Sequence, residues 1–393
     1  MAIVAVSQGS AEEPSQRARA ATLLEPVYLL RADYDRVTAA LRTRLESSDV
    51  PEERRELITR LAQIQEEQKE DYAGALEISA QLLEDDINDE EIVSELERLA
   101  KVAGAHQRLA EIYAARLEHV EVDDEGSTRL ARRAAELFVE GGNDAQALPL
   151  YRRALAFAPE AQDLFEAIDA ILIRAEAHQE RVELYGTALE HRYEPDDRVR
   201  LLHTVAALQR DHLQDLDAAI EAHQAVLEID ERDSSSLDAL TELYTTKERW
   251  EDLAELYQRR AEDSAPEAAA DFRLSLARLF DTRLGQTERA VDQLEEIVRE
   301  LPTHTEAIRS LEAFREHETL KERIVEILRP LYESADDWKR LIKLNEDRFS
   351  LATDPAEQVS VLRETAELWE SRGQDQGKAR RVLAEAVRAL AAS

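Results

Sequence analysis

Five segments of this 393-residue chain line up at long, fixed spacings: "YDRVTAALRTRLE" from Tyr34, "HQRLAEIYAARLE" from His106, "HQERVELYGTALE" from His178, "WEDLAELYQRRAE" from Trp250 and "WKRLIKLNEDRF" from Trp338. The first three steps are 72 residues each and the last is 88. Within each segment the apolar positions recur at helical intervals, as in Leu109, Ile112 and Tyr113 or Leu253, Leu256 and Tyr257, so each reads as a helix with one buried stripe. A second register agrees: 40 or 41 residues after each anchor an alanine opens another helix, at Ala75, Ala147, Ala219, Ala290 and Ala379. Such a chain is expected to stack repeated units, each burying its stripe on the next, instead of closing around one core.

Composition points the same way. Gly and Pro number 10 each and aromatics make up 5%, while Ala, Leu, Glu and Arg dominate, which favours helix almost throughout. The absence of Cys excludes disulfides, thiolate zinc sites and a cysteine nucleophile. The opening "MAIVAVSQGS" lacks a basic n-region, and 18 consecutive apolar residues occur nowhere, so the expectation is a soluble cytoplasmic protein without membrane insertion. A net charge of −35 repels phosphate backbones, so nucleic acid is not an expected partner. The preference for Arg over Lys suggests a GC-rich genome and no particular chemistry.

The 16 extra residues of the last step have a counterpart near the start. "LLEPVYLLRADYDRV" (23–37) is similar to "ILRPLYESADDWKRL" (327–341), with Pro26 against Pro330 and Tyr28 against Tyr332. The chain thus reads as beginning partway through a larger unit, as a segment of a longer array would.

"LARRAAELFVEGGNDAQALPLYRRALAFAPE" (130–160) resembles the tetratricopeptide repeat, a helix-turn-helix of about 34 residues. The match lies in Ala135 and Phe138 on the first helix, Gly141 and Gly142 at the turn, Ala147, Tyr151 and Ala154 on the second, and Pro159 closing it. Small residues are needed where helix axes approach closely, and a large aromatic fills the space alongside. Neighbouring units are degenerate. One keeps Ala277, Phe280, Ala290, Leu294 and Pro302 but lengthens the turn by one residue; another has His223 where the aromatic belongs and Glu231 where proline would stand. The resemblance implies an all-α, right-handed superhelical α-solenoid of about ten helix pairs, two per 72-residue period. Residues 13–393 are expected to form this one array, after a flexible stretch over residues 1–12.

Chemistry finds little support. His106 and His178 share an anchor register, as do His119 and His191, so repetition explains them; none pair at the i, i+4 spacing of a helical zinc site. "EVDDEGSTRLAR" (121–132) carries acids at positions 1, 3 and 5 and Gly126 at 6 of a calcium-type loop, but Arg132 stands where the bidentate Glu belongs. The acidic run "EDDINDEE" (84–91) reads as a solvated loop leading into an acidic helix start. Trp250, Trp338, Tyr113, Tyr185 and Tyr257 recur in register and are assigned to packing. There is no Gly-rich phosphate loop, G-x-S-x-G elbow or H-E-x-x-H, so no enzyme activity, cofactor or metal is expected.

What remains is a protein or peptide partner. The family's ligands lie on the concave face lined by first helices. Carried onto this chain, those positions are Arg129, Arg132 and Glu136 in one unit and Arg200, His203 and Arg210 in its 72-residue equivalent, a local basic strip. The family's carboxylate clamp uses groove Asn and Lys together, and Asn88, Asn143 and Asn345 do not match it. Two further readings stand beside the groove. The last helix, "KARRVLAEAVRALAAS", displays Val382, Leu383, Ala386, Val387 and Leu390 with no polar capping helix after it, which suggests self-association through terminal repeats. A half-a-tetratricopeptide array of the RNA-processing kind is opposed by the acidity.

Overall fold

The computed structural model describes the backbone of residues 13–84, 86–120 and 122–392, and the side chains of these from residue 16 except 385 and 388–392. The flexible stretch expected over 1–12, and Leu390 as a side chain, lie outside what it describes. Among the described residues there are 21 α-helices and no strand.

The helices follow a four-helix period. The first holds α1 (Glu13–Leu30), α2 (Tyr34–Ser47), α3 (Pro51–Lys69) and α4 (Tyr72–Ser79), with a 3-10 turn at Ala80–Glu84. The second holds α5 (Glu90–Ala103), α6 (His106–Leu117), α7 (Glu125–Glu140) and α8 (Asp144–Phe157). The third holds α9 (Gln162–Arg174), α10 (His178–His191), α11 (Pro195–Leu208), continued by a π turn at Gln209–Leu213, and α12 (Leu216–Ile229). The fourth holds α13 (Ser234–Thr246), α14 (Trp250–Glu262), α15 (Pro266–Thr282) and α16 (Thr287–Glu300). After α17 (Thr305–Phe314) come α18 (Lys321–Ser334), α19 (Trp338–Leu351), α20 (Pro355–Ser371) and α21 (Gln376–Ala392). All five sequence anchors are the first residues of helices, and the longer last step accommodates one additional helix, α17.

The backbone repeats as the sequence does. Residues two places before the anchors all adopt the left-handed conformation: Ala32, Gly104, Glu176, Glu248 and Asp336, with φ of 53, 64, 53, 55 and 53°. Five places before the alanines of the second register stand Glu70, Gly142, Gln214, Gly285 and Gln374, with φ of 52, 74, 56, 64 and 49°. No other described residue has positive φ. Each closes a helix so that the next residue's N–H returns to the last turn, as from Ala105 to Ala100 O at 2.8 Å and from Asn143 to Phe138 O at 2.8 Å. The third helix of the period opens with proline at its first turn in α3, α11, α15 and α20, where the missing N–H costs nothing. In α7, Asp124 and Ser127 form a capping box instead.

Packing explains the recurrent residues. Ala75, Ala147, Ala219 and Ala290 are fully buried, as small residues must be where a helix crosses its predecessor closely. Phe138, Tyr151, Ala154, Phe280 and Leu294 fill the space around them. Tyr113 and Tyr185 are buried, and Tyr257, Trp250 and Trp338 half-buried; Trp338 meets Trp369 edge-on at 5.5 Å. Two compact units divide at Ala219 and Ile220, within α12. In the first, consecutive helices from α1 to α9 pack in sequence; in the second, α13 to α21 do the same. No described helix is long and apolar enough to cross a membrane.

Candidate functional site

Helices α3, α5, α7 and α9 of the first unit, first members of their helix pairs, are tied side by side by ion pairs. Arg98 of α5 donates to Glu66 of α3 at 2.7 Å, Arg133 of α7 to Glu97 of α5 at 2.7 Å, and Arg132 of α7 pairs with Asp163 of α9. Between α5 and α7 the Arg133–Glu97 pair borders a cleft of about 300 Å³. Ile87, Val93 and Leu130 give it apolar walls, while Glu90, Glu97, Arg129 and Arg133 supply its charge. Arg129 holds Glu90 at 2.6 Å and lies half in solvent. Nearby charges reach the fully buried Tyr113 of α6: burial first, then Glu97, push its phenol above the usual range, with Arg133 opposing.

The cleft's mouth is set by Asn88. Its amide donates to Asp124 Oδ2 at 3.3 Å, and Asp124 accepts from Ser127 N at 2.7 Å to cap α7. Hydrogen bonds from the Ser127 backbone and from Asn88 hold the Asp124 carboxyl below the usual aspartate value. These same contacts account for the calcium-like sequence: Asp124 is a helix cap, and Asp123 accepts from Arg153 at 2.7 Å; Glu121 lies outside the described residues. In the acidic run, Asp89 caps α5 and pairs with Arg55, which is the helix-start reading. Asp85 is outside the described residues.

The predicted strip is distributed over several surroundings. Arg129 lines the α5/α7 cleft. Arg132 is shared between Glu136 at 3.3 Å and Asp163. Arg200 pairs with Asp197 beside a second cleft of about 620 Å³ that includes His191, Tyr193 and Glu194. His203 is half-buried on α11, and Arg210 donates to Asp211 at 2.7 Å, which holds that carboxyl below its usual value. Every arginine of the strip therefore has a carboxylate beside it. Sequence reasoning passed over Arg133, Glu97 and Val93, which face the same cleft; their signal was the i, i+4 spacing of Val93 with Glu97 and the i, i+3 spacing of Leu130 with Arg133 on adjacent first helices.

The other singled-out residues have structural partners. Asn345 is buried and donates to Thr365 at 3.1 Å, and Asn143 donates to Gln146 at 2.6 Å. His178 stacks on His212 at 3.8 Å. Among the described residues no three His, Asp or Glu side chains are grouped to hold a metal ion. At the last helix, Leu383 is 42% and Val387 66% exposed, and Val382 is half-buried. Their counterparts in α16, Leu294 and Val298, are 1% and 3% exposed.

No protein-family model matches this chain, and no curated protein does. Among solved structures, it is similar to YrrB, described as a TPR protein with an unusual peptide-binding site, at 16% identity over 51% of this chain and 98% of that one, with a TM-score of 0.26. It is similar to the TPR domain of P58(IPK) at 13% identity over 95% of this chain and 98% of that one, TM-score 0.26. It is also similar to a tetratricopeptide repeat protein from Parabacteroides merdae at 14% identity over 79% and 98%, TM-score 0.21. Identities this low bear on fold alone, and superpositions this partial assign the chain no partner or activity. By its own register, turns and buried repeat residues, the chain is an all-helical array of repeated helix pairs that fits the α-solenoid class and has the turns and buried positions the tetratricopeptide resemblance implies.

Proposed function

We propose that the chain is a non-enzymatic scaffold that holds a peptide or protein segment on the first-helix face, with the α5/α7 cleft as its seat. The observation that carries this reading is the cleft itself, where the apolar walls of Ile87, Val93 and Leu130 adjoin the arginines Arg129 and Arg133. A partner carboxylate would take Arg129 from Glu90, an exchange between surface ion pairs that costs little. Arg132, Arg200, His203 and Arg210 are assigned the remaining contacts, and one array spanning residues 13–393 belongs to the same proposal. The test is affinity capture with the purified chain and with the charge-reversed variant Arg129→Glu/Arg132→Glu/Arg200→Glu/Arg210→Glu. Loss of specific partners supports the reading; an unchanged set of captured proteins refutes it.

A second reading, self-association through the terminal helices, is favoured by the exposure of Leu383 and Val387 at positions that α16 buries. Light scattering over a range of concentration tests it: a mass that rises with concentration and falls back in Leu383→Glu/Val387→Glu supports it, and a concentration-independent monomer rejects it.

A further inference from the structure

The fourth helix of each period, α4, α8, α12 or α16, is covered by the helix that follows it. Four residues after the register alanines Ala75, Ala147, Ala219 and Ala290 stand Ser79, Tyr151, His223 and Leu294, all buried. Eight residues after three of them stand Leu83, Leu227 and Val298, also buried. α4 packs on α5, α8 on α9 and α16 on α17, and His223 of α12 meets Ser236 of α13 at 3.0 Å. The Ser236 contact identifies the stripe that looks back. In α13 it is Ser236, Leu240 and Leu243, in α5 Ile92, Leu96 and Leu99, and in α9 Leu164, Ile168 and Ile171, every one buried.

Two helices carry these same faces uncovered. On α21, Leu383 and Val387 stand four and eight residues after Ala379 and are 42% and 66% exposed. On α1, Ala20, Leu24 and Val27 hold the places of Ser236, Leu240 and Leu243, counted back from the anchors Tyr34 and Trp250. Val27 is 41% exposed, Ala20 and Leu24 are half-buried, and Leu23 beside them is 76% exposed. α21 is thus of the kind that takes a follower, and α1 of the kind that follows.

The flanking charges agree. Where the third helix of one period lies beside the first helix of the next, Arg132 of α7 pairs with Asp163 of α9, and Arg278 of α15 with Glu306 of α17. Asp163 and Glu306 immediately precede the buried stripe residues Leu164 and Ala307, and Arg19 of α1 precedes Ala20 in the same way. Arg278 follows the buried Ala277, and on α20, the helix paired with α21, Glu367 follows the buried Ala366. Arg19 and Glu367 are both exposed, and although each reverses the sign found in the α15/α17 pair, they remain opposite to one another.

We propose that α1 of one copy of this chain docks on α21 of a second copy, head to tail, repeating the contact that α5 makes on α4. Leu23, Leu24 and Val27 of one copy cover Leu383 and Val387 of the other, and Arg19 meets Glu367 across the same boundary. Because the two surfaces differ, the contact is heterologous: every docked copy still presents one surface of each kind, and assembly continues past the dimer. This contact rests on the self-association reading above and gives it a second surface, a direction and a charge pair.

The test is light scattering of the full chain over a range of concentration at about 150 mM salt, where the repulsion between copies charged −35 is screened beyond about 8 Å. Mass is expected to grow through the dimer to larger multiples of 44.6 kDa. Val27→Glu on α1 and Leu383→Glu/Val387→Glu on α21 should each stay monomeric, with helix content checked by circular dichroism. Mixed in equal amounts, these two variants should form a 1:1 dimer that grows no further, since one sound surface of each kind remains between them. Arg19→Glu and Glu367→Arg should each weaken association about threefold, and Arg19→Glu/Glu367→Arg in one chain should restore it. A concentration-independent monomer would overturn this contact together with the self-association reading. A mass that stops at the dimer, or that falls in the α21 variant but not in Val27→Glu, would overturn the head-to-tail contact and leave self-association standing.

Discussion

His223 Nδ1 lies 3.0 Å from Ser236 Oγ, and both side chains are buried. The pair joins α12 to α13 at the position where the α8 helix carries Tyr151, so a polar contact stands in for an aromatic one. Replacing only the imidazole strands the hydroxyl. His223→Phe is therefore expected to cost about 1–3 kcal/mol, and His223→Phe/Ser236→Ala to recover most of it. Urea unfolding of the two variants and the parent chain checks this; equal losses in single and double variants would show that the hydrogen bond is not what matters.

The left-handed turn positions give a second prediction, because Gly104, Glu176 and Glu248 occupy one register with φ of 64, 53 and 55°. A Cβ on Gly104 would meet nothing within 4 Å, so Gly104→Ala isolates the backbone cost. That cost is about 1–2 kcal/mol. The reverse change, Glu176→Gly, relieves the same strain but gives the unfolded chain more freedom, leaving a net gain of less than about 1 kcal/mol. Opposite shifts in thermal midpoint for these two variants are the expected result.

Acid should loosen the helix starts. Arg55 beside Asp89, Arg174 beside Asp144, and the Ser127 N–H with the Asn88 amide at Asp124 hold these carboxyls below the usual value of 3.8. A depressed folded pKa means that the stabilisation is fully present above the unfolded value and is lost as pH falls through the folded one. The thermal midpoint is thus expected to fall as pH is lowered below about 4. Asp124→Asn keeps an N-cap side chain without a titrating group, so this variant should show a shallower acid decline than the parent in a pH series.

Much of this architecture was legible because repetition amplifies weak signals. One alanine means little, but Ala75, Ala147, Ala219 and Ala290 at fixed spacing mark buried helix crossings, and they are fully buried. The anchors likewise mark helix starts to the residue. Less legible was where the turns place strain: a glutamate or glutamine carries no preference for the left-handed region, so Glu176 and Gln214 gave no warning. The candidate site was legible only in part. Arg129 and Arg200 could be assigned to first-helix faces, whereas the carboxylates that neutralise them, Glu90 and Asp197, depend on side-chain reach and on neighbouring helices that a list of groove positions does not contain. His223 was visible as an exception, but its buried partner Ser236 lay outside the motif.

Gly126 offers a way to disturb the α5/α7 cleft from its mouth. A Cβ built there would stand 1.4 Å from Asn88 Oδ1 and 2.5 Å from its Cγ, so an alanine forces Asn88 to turn away from Asp124. Asn88 is exposed and free to rotate, and Asp124 keeps its bond from Ser127 N, so the helix cap survives. Gly126→Ala is therefore expected to change stability by no more than about 0.5 kcal/mol while reshaping the cleft's entrance. Partner capture through this cleft should fall in Gly126→Ala and return in Asn88→Ala/Gly126→Ala, where the displaced side chain is gone. Capture that is equally strong in the parent and in Gly126→Ala would mean that partners do not enter between α5 and α7, and would leave the scaffold reading without its proposed seat.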